Sequence, residues 1–274
     1  MNPISKAANA IRSSSAIVIA TGAGMGVDSG LPDFRGDEGF WKAYPPFRKL
    51  GLSFVDLADP RWFADNPAQA WGFYGHRLEL YRQTEPHAGY QILKQWADSK
   101  RHGCFSYTSN VDCHFELAGF AADRIVECHG SFSQLQCRQP CSQSLWSAAS
   151  TNVSIEEATM LANDPLPQCP HCNQIARPNI LMFGDYKWIG DRTHAQLDRF
   201  NSWLGKISKS EIAIIEIGAG TAVPSIRNMS AKLMQQKNAT LIRINPREPR
   251  GPDGTISIAK PGLETLQQIN DLLY

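Results

Sequence analysis

Four cysteines fall in two close pairs, Cys137 and Cys141 in "CRQPC" and Cys169 and Cys172 in "CPHC", with 27 residues between the pairs. Four thiolates in two knuckles make a closed tetrahedral zinc site, which leaves no ligand position for catalysis and supplies folding energy to the segment that carries it. The alternatives are a redox pair at Cys169 and Cys172 or coincidence, and His171 inside the second knuckle is either a substitute ligand or an exposed residue. A second constellation is "GAGMGVDSGLPDFRG" (22–36), where glycines at 22, 24 and 26 let backbone N–H groups approach a pyrophosphate at the start of a helix. Val27 occupies the place of the third fingerprint glycine, so the glycine pattern alone also suits a tight turn. Asp33, Phe34 and Arg35 follow directly after Pro32, which holds charged and planar groups just beyond that turn.

A third constellation is "TSNVDCHFELAG" (108–119) with "VECHGS" (126–131), which sets Asn110, Asp112 and His129 after two short apolar runs. His129 before Gly130 reads as a base with backbone room around it or as a satisfied structural residue. Cys128 points away from His129 if one strand runs through both, so it reads as core. Cys104 and Cys113 read as core or loop thiols, and His114 has no nameable partner.

These residues need a scaffold that gathers strand ends. "ISKAANAIRSSSAIVIATGAG" reads as an amphipathic helix, a strand and a glycine turn, the entry to a doubly wound sheet. Apolar runs at 104–110, 124–130, 177–185, 212–220 and 239–245 predict at least five mostly parallel strands. Helical patterns at 66–83, 89–99, 225–236 and 262–273 are expected to cover the sheet faces. In such a sheet, ligands sit at the carboxyl ends of the strands. The Ser-, Gln-, Pro- and Cys-rich stretch 132–176 breaks the alternation and reads as an inserted module. The expected fold is therefore α/β, a Rossmann-like doubly wound parallel sheet (1–131 and 177–274) with a small zinc-ribbon module (132–176).

The chain has 274 residues, and its 27 Lys and Arg nearly cancel 26 Asp and Glu, which leaves no basic footprint for nucleic acid. The apolar run "AIVIA" (16–20) is too short for a signal-peptide core or a membrane span. Seven cysteines without an export signal point to a reducing, cytoplasmic setting.

In this order, the glycine loop with "SGLPDFR", "TSNVD", "HGS", the two cysteine pairs, "RPNILMFGD", a late glycine turn and Ile244–Asn245 resemble the sirtuins, NAD-dependent protein deacylases. The resemblance spans nearly the whole chain. It implies NAD as a consumed co-substrate, with Gly22, Ala23, Gly24, Asp33, Phe34 and Arg35 in the cofactor loop. Asn110 and Asp112 would serve the nicotinamide and ribose pocket, and Gly218 and Asn245 the adenosine side. In the implied mechanism the acyl-lysine carbonyl oxygen attacks the ribose carbon as nicotinamide leaves, with Asn110 in the catalytic set. His129 then acts as general base on a ribose hydroxyl, and O-acyl-ADP-ribose is the product. Phe183 and Gly184 of "MFGD" would hold an acyl-lysine peptide as an added strand.

Three positions depart from the common sirtuin pattern: Ser109 stands in place of Gln, Phe115 in place of His, and "GAGTAVPS" (218–225) lacks Gly-Thr-Ser. Tyr74 and Arg77 share one helix face, a spacing similar to that of sirtuins preferring acidic acyl groups such as succinyl; the alternative is an ordinary surface Arg. The loop at 22–36 and the helix "WGFYGHRLELYR" also resemble a macrodomain-associated microbial branch that transfers ADP-ribose to a lipoyl-carrier protein. Mono-ADP-ribosyl transfer and non-catalytic NAD sensing are therefore the alternative functions.

Overall fold

The computed structural model describes residues 2–32, 40–42, 44–208 and 211–274. Strand β1 (Ala16–Thr21) is buried at all six positions, as expected for a strand covered on both faces of a parallel sheet. Beside it on one side lie β2 (Cys104–Thr108) and β3 (Ile125–Glu127). Four further strands follow in chain order: β4 (Gly130–Cys137), β5 (Trp146–Ser147), β6 (Ile155–Glu156) and β7 (Leu161–Ala162). After β8 (Ala176–Ile180) the chain returns to the central sheet as β9 (Ile212–Ile217), β10 (Thr240–Ile244) and β11 (Ile256–Ile258). The central sheet has six strands in the order β11-β10-β9-β1-β2-β3, and every pair in it is parallel. The order reverses direction between β1 and β9, so the crevice at their carboxyl ends is the topological switch point where ligands bind such sheets.

Helix α1 (Pro3–Ser13) is capped by Asn2, whose side chain accepts from Ser5 N at 2.8 Å, with Pro at its first turn. It packs with α6 (Gly262–Leu273) on one face of the sheet, and α3 (Gly89–Asp98) joins them. The opposite face is covered through Phe200, Trp203 and Leu204 of α4 (Asp191–Gly205) and Ile226 and Leu233 of α5 (Ser225–Lys237).

Helix α2 (Pro67–Gln83) does not cover the sheet as its pattern predicts. It carries buried residues on every side, from Gln69 through Tyr81, because a separate core surrounds it. That core joins Phe40, Tyr44, Phe47, Phe63, Trp71, Phe73 and Tyr74 to Phe132, Leu135, Met160 and Ala176 of the later segment. Gly72 of α2 lies against the backbone of Met160, where any Cβ would collide with the carbonyl oxygen. The run "RPNI" in β8 is not a central strand either: it pairs antiparallel with β4 in a three-stranded sheet of order β5-β4-β8. The expected module 132–176 thus begins inside β4 and ends at the first residue of β8.

Candidate functional site

The two glycine turns meet at the switch point. Gly22 N donates to Ile217 O, Gly24 N to Gly218 O and Gly218 N to Ile244 O, each at 3.0 Å, which ties the ends of β1, β9 and β10 together. Gly218 has φ +66°, and a Cβ there would stand 2.5 Å from Gly24 Cα and Met25 N. Only glycine allows this crossing.

Beside the crossing opens a cavity of about 600 Å³, within the size range of small-molecule sites. Its wall includes Gly22, Ala23, Asn110, Asp112, His129 and Ala219–Val223, with Arg77 and Phe183 at other parts of the wall. Gly24 supports the turn through its backbone. Gly184, Gly218 and Asn245 are not on the wall. Asn245 is fully buried behind it: Nδ2 donates to Ala219 O at 2.9 Å, and Oδ1 accepts from Arg247 N and Glu248 N at 3.0 Å. Asp33, Phe34 and Arg35 lie outside the described residues.

Asn110 follows β2, and its backbone N donates to Thr108 Oγ1 at 3.0 Å. Asp112 is buried at 7% exposure, and burial pushes its carboxyl above the ordinary range while the neighbouring His114 works in the opposite direction. His114 is fully buried, with neither ring nitrogen hydrogen-bonded among the described residues. His129 follows β3, and its Nε2 lies 3.1 Å from Ser225 Oγ at the start of α5. Burial lowers the His129 pKa below 6.5, partly offset by a hydrogen bond to the Ser109 backbone. A neutral imidazole is what a base needs.

Tyr74 and Arg77, which share a helix face, do not both reach the cavity wall. Tyr74 is buried at 1% exposure among Phe63, Phe73 and Phe132 and is absent from the cavity wall. Tyr81, one helical turn beyond Arg77, is on the wall instead, and its hydroxyl accepts from Arg77 NH2 at 2.6 Å. Arg77 is 6% exposed, with the rings of Phe54, Phe73, Tyr81 and Phe132 centred 5.2 to 5.5 Å from its guanidinium carbon. The ordinary surface arginine is thereby excluded. Sequence reasoning missed Tyr81, although its i+4 spacing to Arg77 was a usable signal. It also missed Ser225, for which no local pattern exists.

Phe183 is held at the cavity by its N–H, which donates to Ala58 O at 2.9 Å. The loop after it is pinned by a bidentate Arg177–Asp185 pair at 2.6 and 3.0 Å, almost wholly buried.

At the far end of β4, the sulfurs of Cys137, Cys141, Cys169 and Cys172 lie within 4.8 Å of one another, with Cys137–Cys172 and Cys141–Cys169 each at 3.6 Å. Four sulfurs about 2.3 Å from one tetrahedral zinc stand about 3.8 Å apart, so the cluster fits that ion. His171 takes no part in this set. At Cys169 burial opposes ionisation, but the backbone N–H groups of His171 and Cys172 outweigh it and lower the thiol to about 7.

Residues 22–224 match the Sir2 family, and the chain belongs to it. The NAD-dependent protein deacylase 1 of Archaeoglobus fulgidus is 28% identical over 263 residues, covering 94% of this chain and 93% of that protein. The NAD-dependent protein deacylase of Aeropyrum pernix is 28% identical over 261 residues, covering 94% and 91%. A mutant Sir2 homologue solved with ADP-ribose superposes with a TM-score of 0.71 at 25% identity, covering 98% of this chain and 95% of that one. A Sir2 homologue solved with NAD gives 0.72 at 24% identity, covering 98% and 93%, a likeness of fold. No helix among the described residues is long and apolar enough to cross a membrane.

Proposed function

We propose that this protein is an NAD-dependent protein-lysine deacylase. The observation that carries the reading is the meeting of His129, Asn110 and Asp112 on one cavity wall with the Gly22–Ala23 turn, at the switch point of a Sir2 chain. The names of the Archaeoglobus and Aeropyrum relatives support it. When bound, NAD supplies a ribose carbon from which nicotinamide departs.

The chain's own residues do the rest. The turn at Gly22, Ala23 and Gly24, whose Gly22 and Gly24 N–H groups hold the strand crossing, presents Ala23 on the cavity wall to the phosphates, and the sirtuin resemblance assigns Asp33, Phe34 and Arg35 to the same cofactor. Gly218 and Asn245 shape the loops on the adenosine side. Asn110 and Asp112 orient the ribose, and His129 accepts a hydroxyl proton at a ring nitrogen. Phe183 and Gly184 hold the acyl-lysine segment by backbone hydrogen bonds.

At the acyl end, Arg77 with Tyr81 offers donors to a carboxylate, which supports succinyl-lysine alongside acetyl-lysine as substrate, with Tyr74 packed on Phe73 and Phe132, two rings that face the arginine. The four cysteines hold structural zinc in the unit 132–176, and the remainder of the chain forms the NAD-binding domain. Free thiols at Cys104, Cys113 and Cys128 are the reason for assigning a cytoplasmic setting.

The test is incubation with NAD and acetylated, succinylated and unmodified lysine peptides and a lipoyl-carrier protein, following nicotinamide, peptide and protein mass together. Nicotinamide with O-acyl-ADP-ribose is expected. A carrier-protein mass gain of one ADP-ribose without deacylation would replace this reading with ADP-ribosyl transfer, and binding without nicotinamide release would reduce it to sensing.

A further inference from the structure

The contact between His129 Nε2 and Ser225 Oγ, at 3.1 Å, joins the candidate base to a different part of the chain, 96 positions on in sequence. In a neutral imidazole one ring nitrogen carries the proton and the other a lone pair, and a base with its lone pair at Nε2 carries its proton at Nδ1. A serine hydroxyl both donates and accepts, and against a lone pair it donates.

Ser225 is the first residue of α5, directly after the loop whose Ala219–Val223 segment lines the cavity. The N-terminal end of a helix carries partial positive charge, which favours a neutral imidazole beside it. One residue of the cofactor loop's own helix therefore meets the atom that must take a proton.

We infer that Ser225 is a positioning residue for His129: its hydroxyl donates to Nε2 and fixes the ring, so that the base is set by the same loop that forms the cofactor wall. The inference rests on the reading of His129 as general base. The hydroxyl must turn aside before Nε2 takes a proton, so Ser225 sets the ring's orientation before the step and leaves the lone pair during it. Replacement at this position spares the helix, because the N-cap is Pro224 and no side-chain cap bond is lost.

The experiment compares the parent, Ser225→Ala and Ser225→Thr by nitrogen NMR of the histidine rings in the protein without NAD, with His129 assigned by its loss in His129→Gln. Turnover is measured alongside. In Ser225→Ala the Nε2 resonance should move toward that of an unbonded ring nitrogen while the other nitrogen holds. The kcat for acyl product should fall about three- to tenfold, the value of one hydrogen bond, with KM for NAD unchanged. Exchange of free nicotinamide into NAD, which precedes the base's step, should persist, and Ser225→Thr should restore both signals. An unmoved Nε2 resonance, or a loss confined to KM, would overturn the role. If the parent consumes no NAD with any acyl peptide, the deacylase reading falls, and the resonance still decides whether Ser225 holds the ring.

Discussion

Replacing Asn245 tests whether the cofactor wall is held from behind. The side chain is fully buried and makes three hydrogen bonds, one to Ala219 O and two from the N–H groups of Arg247 and Glu248. In Asn245→Ala all three are lost, at about 0.5 to 1.5 kcal/mol each. Arg227 NH1 still reaches Ala219 O at 3.2 Å and the loop amides are able to bind water, so about 2 to 3 kcal/mol of stability should disappear. Because Ala219–Val223, Arg247 and Glu248 all border the cavity, NAD affinity should fall about tenfold, for roughly 1.4 kcal/mol of loop reordering.

Asn245→Asp separates the two halves of the network. Its carboxylate keeps the two amide donors but faces the Ala219 carbonyl oxygen, which repels it, so the folded-state pKa rises above the unfolded one. The unfolded chain then holds fewer protons than the native one, and the deficit relative to the parent shrinks as pH falls from about 7.5 to about 5, where a protonated carboxyl donates as the amide did. Urea denaturation at both pH values and calorimetric NAD titration read these effects. An Asn245→Ala protein within about 0.5 kcal/mol of the parent, with unchanged NAD affinity, would refute the reasoning.

Arg77→Met should abolish desuccinylation while largely sparing deacetylation, read as the ratio of kcat/KM on matched peptides; equal loss on both would remove the carboxylate role. Purified without chelator, the protein should carry one zinc per chain by metal analysis. Cys141→Ser or exhaustive chelation should lower its melting temperature, and metal-free protein of full stability would exclude the zinc. Burial lowers the pKa values of His76, His87 and His129, so the unfolded chain binds protons that the native state refuses. Stability should therefore rise with pH up to about 6.5 and fall as pH drops below it, by denaturant titration across that window. A flat profile through that window would contradict these environments.

The glycine turn after β1, the residues following β2 and β3, and the cysteine pairs were legible because each is local: a short motif beside a β-branched run. What was lost depends on tertiary context. Strand β8, "ARPNI", is buried at all five positions, so nothing in its pattern distinguishes a central parallel strand from one in the small antiparallel sheet. Strand β11 has three residues, too few for any period. Helix α2 placed both Tyr74 and Tyr81 within reach of Arg77, and only the second core around it determines that Tyr81 faces the cavity. The resemblance named Asn245 for the adenosine side, but its hydrogen bonds to two loops behind the cavity required knowing where Ala219, Arg247 and Glu248 fold.

The contact of Gly72 with the Met160 backbone makes the metal-bearing segment and the arginine helix a single mechanical part. A chain that leaves the ribosome short of zinc would still own its parallel sheet and its glycine crossing, since neither draws on that second core. Its aromatic box around Arg77 would lose a wall. Metal supply would then register first as a change in which acyl groups are accepted, and only later as a failure to hold NAD.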